Sequence, residues 1–184
     1  MVSTAVVLLA GGEALRFPGK LEHRIDGSPM LARCYDRVRA QGWPIYIAGK
    51  ASFSRELDAR LAAPLVIDRR PGGGPLRAFL DACAMVRAEH VFAIAADQPK
   101  LDAAVLRQLA AAWQRGDEAV VPAHDGEIEP LAALYDRKAV LREGFELRTA
   151  GKAAMRHLID RLAARFVPCD AQHFHNVNRR EDLP

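Results

Sequence analysis

The fold class is set by the run Ala5-Val-Val-Leu-Leu-Ala10, which is followed directly by the glycine pair Gly11-Gly12. Consecutive apolar residues that include β-branched valines are typical of a strand buried on both faces. Strands of this kind belong to parallel sheets whose faces are covered by helices. The run therefore predicts an α/β protein with a glycine-rich loop at the carboxyl end of its first strand.

Beyond this run, short apolar stretches alternate with amphipathic segments. Strands are predicted where apolar runs are short and continuous, and helices where apolar residues recur at helical spacing. The predicted strands are 5–10, 44–48, 65–67, 91–96 and 119–122. The predicted helices are 30–40, 54–61 capped by Ser54, 75–88 starting at Pro75, and 102–113 capped by Asp102. This alternation implies right-handed crossovers and a mostly parallel sheet with helices on both faces.

The last third of the chain is less regular. Strands are predicted at 131–135 and 166–167, a helix over 152–164, and a loop with a short turn over 176–184. No linker, repeat or low-complexity tract interrupts the pattern, and a chain of 184 residues suits one domain. We therefore expect a single domain over residues 1–184.

The composition excludes several classes of protein. Half of the residues are hydrophobic and 27% are charged, unlike disordered, collagen-like or coiled-coil chains. The formal charge is only +3 and the basic residues are scattered, so no nucleic-acid partner is expected. No apolar run approaches the roughly 18 residues of a membrane span, and no signal peptide is recognisable. Three widely separated cysteines, Cys34, Cys83 and Cys169, are expected to be reduced thiols of a cytoplasmic protein.

The loop after the first strand carries the strongest functional signal. Gly11 and Gly12 let the backbone approach a ligand closely, and free N–H groups there can cradle phosphate oxygens. Arg16 and Lys20 add positive charge for a polyphosphate. The loop is neither a GxxxxGK[ST] motif, because Leu21 follows Lys20, nor a dinucleotide fingerprint. It therefore predicts a phosphate site of another kind, against the alternative of a simple tight turn.

Motifs along nearly the whole chain occur in the order typical of one family. They are Leu9-Ala10-Gly11-Gly12 with Arg16, Gly19 and Lys20; Asp68 with Gly74-Pro75-Leu76; Asp97-Gln98-Pro99; Pro130-Leu-Ala-Ala-Leu-Tyr135; and Phe174-His-Asn176-Val-Asn178 with Glu181-Asp182-Leu183. In this combination the chain resembles the molybdenum cofactor guanylyltransferases, within the larger group of nucleotidyltransferases. The resemblance implies a three-layer α/β/α fold with a mostly parallel, Rossmann-like sheet of the nucleotidyltransferase type.

The chain departs from the family pattern at two places. Phe17-Pro18-Gly19 stands where the family usually has Met-Gly, which shifts the position expected for Lys20. The family often has an Asn after the second strand that helps to bind guanine, whereas Ile45-Tyr-Ile-Ala48-Gly-Lys50 contains none. The second departure leaves the choice of nucleotide base open.

The resemblance implies an enzyme that transfers GMP from GTP to the phosphate of molybdopterin and releases pyrophosphate with Mg²⁺ as cofactor. Lys20, Arg16 and Asp97 are the expected catalytic residues, and Asp97 is the expected metal ligand. The expected nucleotide-binding and substrate-binding residues are Leu9, Ala10, Gly11, Gly12, Lys20, Asp68, Asn176 and Asn178. Because the acceptor phosphate is already anionic, positioning and charge neutralisation are sufficient and no strong base is required.

Each candidate also has a purely structural interpretation. Asp97 precedes Pro99 and could cap a turn. Asp68 could accept two guanine N–H groups or help to hold metal through water, and its structural alternative is an ion pair with Arg69 or Arg70. Asn176 and Asn178 share one side of an extended segment, where they could bind metal, phosphate or pterin, although loop asparagines usually make turns. His173 and His175 are expected to be solvated or packed, and Trp43 and Trp113 to pack at the core or its edge.

Alternatives remain open for the substrate and the partners. The same fold could use CTP with molybdopterin, act on a sugar or alcohol phosphate, or serve as a nucleotide-binding module without turnover. The joint presence of Lys20 and Asp97 favours an enzyme. A protein that delivers molybdopterin is a further possible partner, and a monomer is the expected state.

Overall fold

A computed structural model describes residues 3–11, 17–49, 52–67 and 73–183 of the chain. Its strands, in chain order, are β1 (Thr4–Ala10), β2 (Arg24–Ile25), β3 (Ser28–Pro29), β4 (Ile45–Gly49), β5 (Leu65–Ile67), β6 (His90–Ala95), β7 (Ala119–His124), β8 (Glu127–Ile128), β9 (Ala132–Asp136) and β10 (Ala164–Pro168). Its α-helices are α1 (Met30–Arg39), α2 (Arg55–Arg60), α3 (Gly74–Met85), α4 (Ala103–Ala112), α5 (Arg137–Thr149) and α6 (Met155–Ile159). Short 3₁₀ turns occur at Lys20–Glu22, Ala171–Phe174 and Arg180–Asp182.

The main sheet has the strand order β10-β7-β9-β6-β1-β4-β5. Strand β1 pairs in parallel with β4 and β6, and β4 pairs in parallel with β5. Strand β9 runs antiparallel to both of its neighbours, β6 and β7, while β10 is parallel to β7. The expected α/β fold with a mostly parallel sheet is confirmed, and β9 makes the sheet mixed.

The two faces of the sheet are covered by different helices. Side chains of β1 alternate between two apolar clusters, with Val7 in one and Leu8 in the other. The first cluster contains the buried faces of α3, α5 and α6, and the second contains those of α1 and α4 together with Leu57 of α2. A strand that contributes to both clusters is buried on both faces, which explains why its sequence is apolar without interruption.

Most of the predicted helices form, with small differences at their ends. Asp102 caps α4 as predicted, because its side chain accepts a hydrogen bond from the backbone N–H of Ala104 at 2.8 Å. Ser54 occupies the N-cap position of α2 but makes no side-chain capping hydrogen bond, so that part of the prediction is wrong. Helix α3 ends at Met85 instead of residue 88, since the backbone of Val86 is already extended.

The prediction for residues 152–164 is wrong. Only Met155–Ile159 is helical, and β10 begins at Ala164, where pairing with β7 extends the edge of the sheet. Helix α5, which the sequence analysis did not predict, precedes it. The side chain of Asp136 caps α5 by accepting from the backbone N–H of Ala139 at 2.7 Å. At Ala164 the strand pairing with β7 outweighs the helix propensity of the sequence. This pairing cannot be predicted from the local sequence pattern.

Candidate active site

Three chain segments meet at the carboxyl ends of the parallel strands. Gly11 follows β1, Gly49 ends β4, and Asp97 follows β6 after one intervening residue. The N–H of Ala96 donates to the carbonyl of Leu9 at 3.0 Å, which joins the ends of β1 and β6. Open α/β sheets bind ligands at this edge. The structure therefore brings Gly11, where the predicted first loop begins, and Asp97 to the same end of the sheet.

Gly49 allows the ends of β1 and β4 to approach closely. A Cβ atom at this position would lie 2.8 Å from the carbonyl oxygen of Ala10 and 2.9 Å from its carbonyl carbon. Any side chain at Gly49 would displace the residues that lead into the first loop. The sequence analysis did not identify this residue, although a glycine directly at the end of a predicted strand is a usable signal for close backbone approach.

Lys20 is positioned by the segment that departs from the family pattern. Phe17 is buried in a small cluster with Ile25, Met30 and Val177. Gly19 then adopts the left-handed conformation with φ of 72°, and a 3₁₀ turn starts at Lys20. A glycine adopts this conformation without the strain that other residues incur. The buried aromatic ring and the turn together set where the Lys20 side chain begins.

The ammonium group of Lys20 contacts Asp97, 77 positions away in the chain. Its Nζ lies 2.5 Å from Oδ2 of Asp97 and also donates to the carbonyl of Val177 at 3.2 Å. The N–H of Val177 donates to the carbonyl of Asp97 at 2.9 Å. The three residues thus form a closed set of contacts in which both charged side chains are partly buried. An ammonium has three N–H donors, and the described contacts use two of them.

The donor set around Asp97 fits a magnesium ion that is shared with a substrate. Among the described residues no group of three or more His, Cys, Asp and Glu side chains could hold a metal ion. Mg²⁺ is commonly held by one or two carboxylates, several waters and the oxygens of substrate phosphates. Asp97 supplies one carboxylate, about 20% exposed. The site therefore fits an ion that would be held partly by the oxygens of a bound phosphate group.

Three of the predicted site residues lie outside the described residues. They are Gly12, Arg16 and Asp68. Their proposed contacts with phosphate and base remain predictions from the sequence. Leu9 and Ala10 are buried at the end of β1, and Gly11 is exposed beyond them.

Asn176 and Asn178 flank Val177 in an extended segment beside the site. Val177 is fully buried, whereas Asn178 is exposed. The carboxylate of Asp182 accepts hydrogen bonds from the backbone N–H groups of Asn178 and Arg179 at 2.8 and 2.7 Å. These bonds hold the pKa of Asp182 below its ordinary value, because both stabilise the ionised form. The segment 176–182 is thereby fastened next to Lys20 and Asp97.

A cavity of about 380 Å³ opens beside this segment. Its walls are mainly apolar and include Pro75, Pro130, Leu131 and Met155. Polar groups reach it from Gln98, Glu129, Arg156 and Asn176. The volume and the mixture of apolar walls with a few polar groups are typical of small-molecule sites. Gln98, the residue next to Asp97, places the cavity beside the end of β6.

One wall of the cavity contains a connected set of polar side chains. Oε1 of Glu129 lies 3.1 Å from Nε2 of His124, and Oε2 accepts a long hydrogen bond of 3.5 Å from Nε2 of Gln98. The ring of His124 stacks on Phe174 with centroids 5.1 Å apart. Burial raises the pKa of Glu129, and the hydrogen bond from His124 opposes part of that shift. Gln98 is the single buried polar residue among the described side chains.

Glu129, His124 and the role of Gln98 are not among the residues predicted from the sequence. Gln98 belongs to the Asp97-Gln98-Pro99 motif, and Glu129 directly precedes the motif that begins at Pro130. An acidic residue at the start of a buried strand was therefore a signal that could have been used. His124 lies at the end of β7, and the Asp125-Gly126 pair that follows it is a hairpin signal that could have related it to Glu129.

The remaining aromatic residues pack much as expected. Trp43 stacks on Phe92 with ring centroids 5.1 Å apart, and Trp113 packs on His90 at 3.9 Å. His173 makes an edge contact with Phe174. In the described parts of the chain, no helix is both long enough and apolar enough to span a membrane.

Comparison with known proteins assigns the family. A family model described as the MobA-like NTP transferase domain matches residues 6–175. The chain is 31% identical over 187 residues to the molybdenum cofactor guanylyltransferase of Mannheimia succiniciproducens, covering 99% of this chain and 97% of that protein. It is 28% identical over 187 residues to a probable molybdenum cofactor guanylyltransferase of Bacillus licheniformis, covering 96% and 93%.

Solved structures agree with this fold. Molybdopterin-guanine dinucleotide biosynthesis protein A from Archaeoglobus fulgidus matches with a TM-score of 0.80 at 22% identity, covering 97% of this chain and 94% of that one. A CMP:2-keto-3-deoxy-manno-octonic acid synthetase complexed with CTP also matches with a TM-score of 0.80, at 13% identity and with coverage of 98% and 95%. The chain therefore belongs to the MobA-like NTP transferase family and is a nucleotidyltransferase enzyme.

Proposed function

We propose that this enzyme transfers GMP from GTP to the terminal phosphate of molybdopterin. An oxygen of the acceptor phosphate attacks the α-phosphorus of GTP, the bond to the bridging oxygen of the β-phosphate breaks, and pyrophosphate leaves. The names of the full-length relatives support this reaction. It also agrees with the motifs Leu9-Ala10-Gly11-Gly12 and Asp97-Gln98-Pro99.

One observation carries the proposal most directly. The Lys20–Asp97 pair links two parts of the chain: Lys20 follows the predicted phosphate loop in the sequence, and Gln98, the residue next to Asp97, lines the cavity. A phosphate group held at this point can be reached from both sides. This arrangement suits a transfer between two bound substrates better than hydrolysis of one.

The residues of the site supply positioning and positive charge. Lys20 can donate to phosphate oxygens where negative charge develops in the transition state. A magnesium ion held by Asp97 and by triphosphate oxygens would neutralise further charge and favour departure of pyrophosphate. Arg16 is proposed to add a second cation on the nucleotide side. No general base is needed, because the acceptor phosphate is anionic.

Selection of guanine is proposed to depend on Asp68. Guanine presents two adjacent donors, N1–H and the exocyclic amine, that one carboxylate can accept together. Ala48 lies in β4, the strand after which the family often has an Asn, and it cannot supply that side-chain amide. We therefore expect GTP to be preferred over ATP, with weaker discrimination than an additional Asn would provide.

Pyrophosphate release is the decisive measurement. The purified chain is assayed with GTP, CTP, ATP and UTP, each with and without molybdopterin and Mg²⁺. We expect release only with molybdopterin and fastest with GTP. In the variant Asp68→Ala, the preference for GTP over ATP should shrink roughly ten- to a hundredfold, since losing hydrogen bonds to a charged acceptor costs about 1.5–3 kcal/mol. Asp160→Ala, at an exposed position, is the control.

The other outcomes identify the alternatives. Faster release with CTP than with GTP contradicts the assignment and indicates a cytidylyltransferase. Release that depends on a sugar or alcohol phosphate and not on molybdopterin indicates a different acceptor. Nucleotide binding without release under any of these conditions indicates a binding module.

A further inference from the structure

The cavity beside Asp97 has a polar wall whose hydrogen-bonding capacity is only partly used. Each oxygen of the Glu129 carboxylate receives one described hydrogen bond, Oε1 from His124 and Oε2 from Gln98. A carboxylate oxygen can accept about two. Oε1 of Gln98 is buried and finds no partner among the described residues. The wall thus presents unused hydrogen-bond acceptors, which are complementary to a ligand that carries N–H donors.

The rest of the cavity limits what that ligand can be. Pro75, Leu131 and Met155 offer apolar surfaces on which a flat ring can lie. Arg156 lines the same cavity and is exposed to solvent, so it can meet an anionic substituent. A flat heterocycle with adjacent N–H donors on one edge and a negative charge on the other side satisfies all three features.

We propose that Glu129 selects the pterin ring of the acceptor, by accepting two N–H donors from its 2-amino-4-oxopyrimidine edge, while His124 and Gln98 hold the carboxylate in place. The inference rests on the proposed function, because it takes the acceptor to be a pterin. Bidentate pairing of a carboxylate with two neighbouring donors is a strong and directional form of hydrogen bonding. Glu129 is therefore a specificity residue for the acceptor and takes no part in the transfer itself.

Guanine carries the same 2-amino-4-oxopyrimidine edge, so competition with GTP decides between the two rings. The cavity is lined by the residues that lead into β9, by the segment before α6 and by Pro75 at the start of α3. The first loop leaves the sheet after β1, on the other side of β6 from β9. If the nucleotide binds that loop as proposed, the cavity remains free for the acceptor.

His124 acts as a positioning residue for Glu129. Its ring stacks on Phe174 almost in parallel, at an interplanar angle of 5°. When the carboxylate is ionised, Nε2 of His124 must carry the proton that it donates to Glu129. The stacked ring limits rotation of the imidazole and so fixes the direction from which Oε1 is approached, which leaves the other acceptor positions of the carboxylate toward the cavity.

The test measures binding of two related heterocycles at pH 7 by fluorescence titration. Pterin carries the 2-amino group, and lumazine carries an oxygen in its place. The wild-type chain is expected to bind pterin at least roughly tenfold more tightly than lumazine, the factor that one hydrogen bond to a charged group provides. The variant Glu129→Gln should lose this preference, whereas Glu127→Gln, at an exposed position two residues earlier, should retain it.

Adding saturating GTP shows whether the cavity binds the pterin of the acceptor or the guanine of the nucleotide. Pterin binding is expected to be undiminished when GTP is present. Competition by GTP would show that the cavity takes the nucleotide base, and the inference would be overturned. Equal affinity of the wild-type chain for both heterocycles, no pterin binding at millimolar concentrations, or a preference that survives in Glu129→Gln would also overturn it. The comparison of pterin with lumazine and the competition by GTP both use the wild-type chain, so their outcomes do not depend on the folding of a variant.

Turnover provides an independent readout. With molybdopterin as acceptor, Glu129→Gln should raise the KM for molybdopterin about ten- to a hundredfold and leave the KM for GTP unchanged. An equal rise in both values contradicts a role confined to the acceptor. A chain that binds pterin through Glu129 but releases no pyrophosphate contradicts the proposed function and leaves this inference standing, so the two failures are distinguishable.

Discussion

At the scale of single residues, the site depends on contacts between side chains that are far apart in the sequence. Lys20 and Asp97 are 77 positions apart and meet at 2.5 Å. The meeting requires burial of Phe17, the left-handed turn at Gly19, and the end of β6 at the same sheet edge. Each of these is a local feature, but only their combination gives the pair.

Replacement of Asp97 by Asn tests the charge at this point. Asn keeps the size of the side chain and its hydrogen-bonding ability but removes the negative charge that pairs with Lys20 and that would hold the proposed magnesium ion. We expect turnover to fall by roughly 10²-fold or more, the scale seen when a key electrostatic group is removed, with the melting temperature nearly unchanged. The exposed Asp160→Asn is the control. Near-normal turnover of Asp97→Asn at saturating Mg²⁺ would remove Asp97 from the mechanism.

At the scale of elements, helix α5 packs against α3 through a glycine. A Cβ atom at Gly144 would lie 2.1 Å from Cδ2 of Leu80 and 3.0 Å from its Cγ. Gly144 is buried in the middle of a helix whose sequence is otherwise rich in charged residues. The glycine lowers helix propensity but permits the two helices to approach, and α3 in turn carries Pro75 to the cavity.

The substitution Gly144→Ala should therefore destabilise the protein, although alanine is the better helix former. Overpacking costs typically about 1–3 kcal/mol, against a propensity gain of about 1 kcal/mol. In the background of Leu80→Ala, which removes the colliding methyl groups, the same substitution should become stabilising. Urea unfolding of the two single variants, the double variant and the wild type measures this coupling. Additive changes in the free energy of unfolding would show that the effect of Gly144→Ala does not depend on the Leu80 side chain.

At the scale of the whole molecule, the cavity is assembled from distant parts of the chain, and its polar wall carries a cost in stability. Burial raises the pKa of Glu129 above its ordinary value. Between the ordinary and the raised value the folded state binds more protons than the unfolded state, so stability decreases as the pH rises through this window. A glutamine at this position does not titrate.

The melting temperature of Glu129→Gln relative to the wild type should therefore increase with pH. At pH values below the ordinary pKa of a glutamate, both proteins carry a neutral group and the difference should be smallest. The difference should grow as the pH rises through the raised pKa of Glu129 and then level off. Glu127→Gln should show no comparable trend. A difference that is independent of pH would mean that the ionised carboxylate is fully compensated by His124 and Gln98.

The sequence alone determined the main features of the fold. Uninterrupted apolar runs identified the central strands because those strands are buried on both faces. Helical spacing of apolar residues identified α1, α3 and α4. The sequence also predicted a functional loop after β1 and the importance of Lys20 and Asp97. The reason is that polar residues that follow parallel strands meet at one edge of the sheet.

Tertiary structure decided what depends on partners distant in the chain. The antiparallel insertion of β9 between β6 and β7 and the start of β10 within a helix-like sequence follow from strand pairing, which local propensity does not encode. Glu129 meets His124 through the short β7–β8 hairpin, whereas it meets Gln98, 31 positions away, only because β9 pairs with β6. Helix α5 was not predicted. Its central residue, Gly144, disfavours a helix by propensity and is explained only by the close contact with Leu80. Local patterns specify elements, whereas contacts between elements specify the cavity.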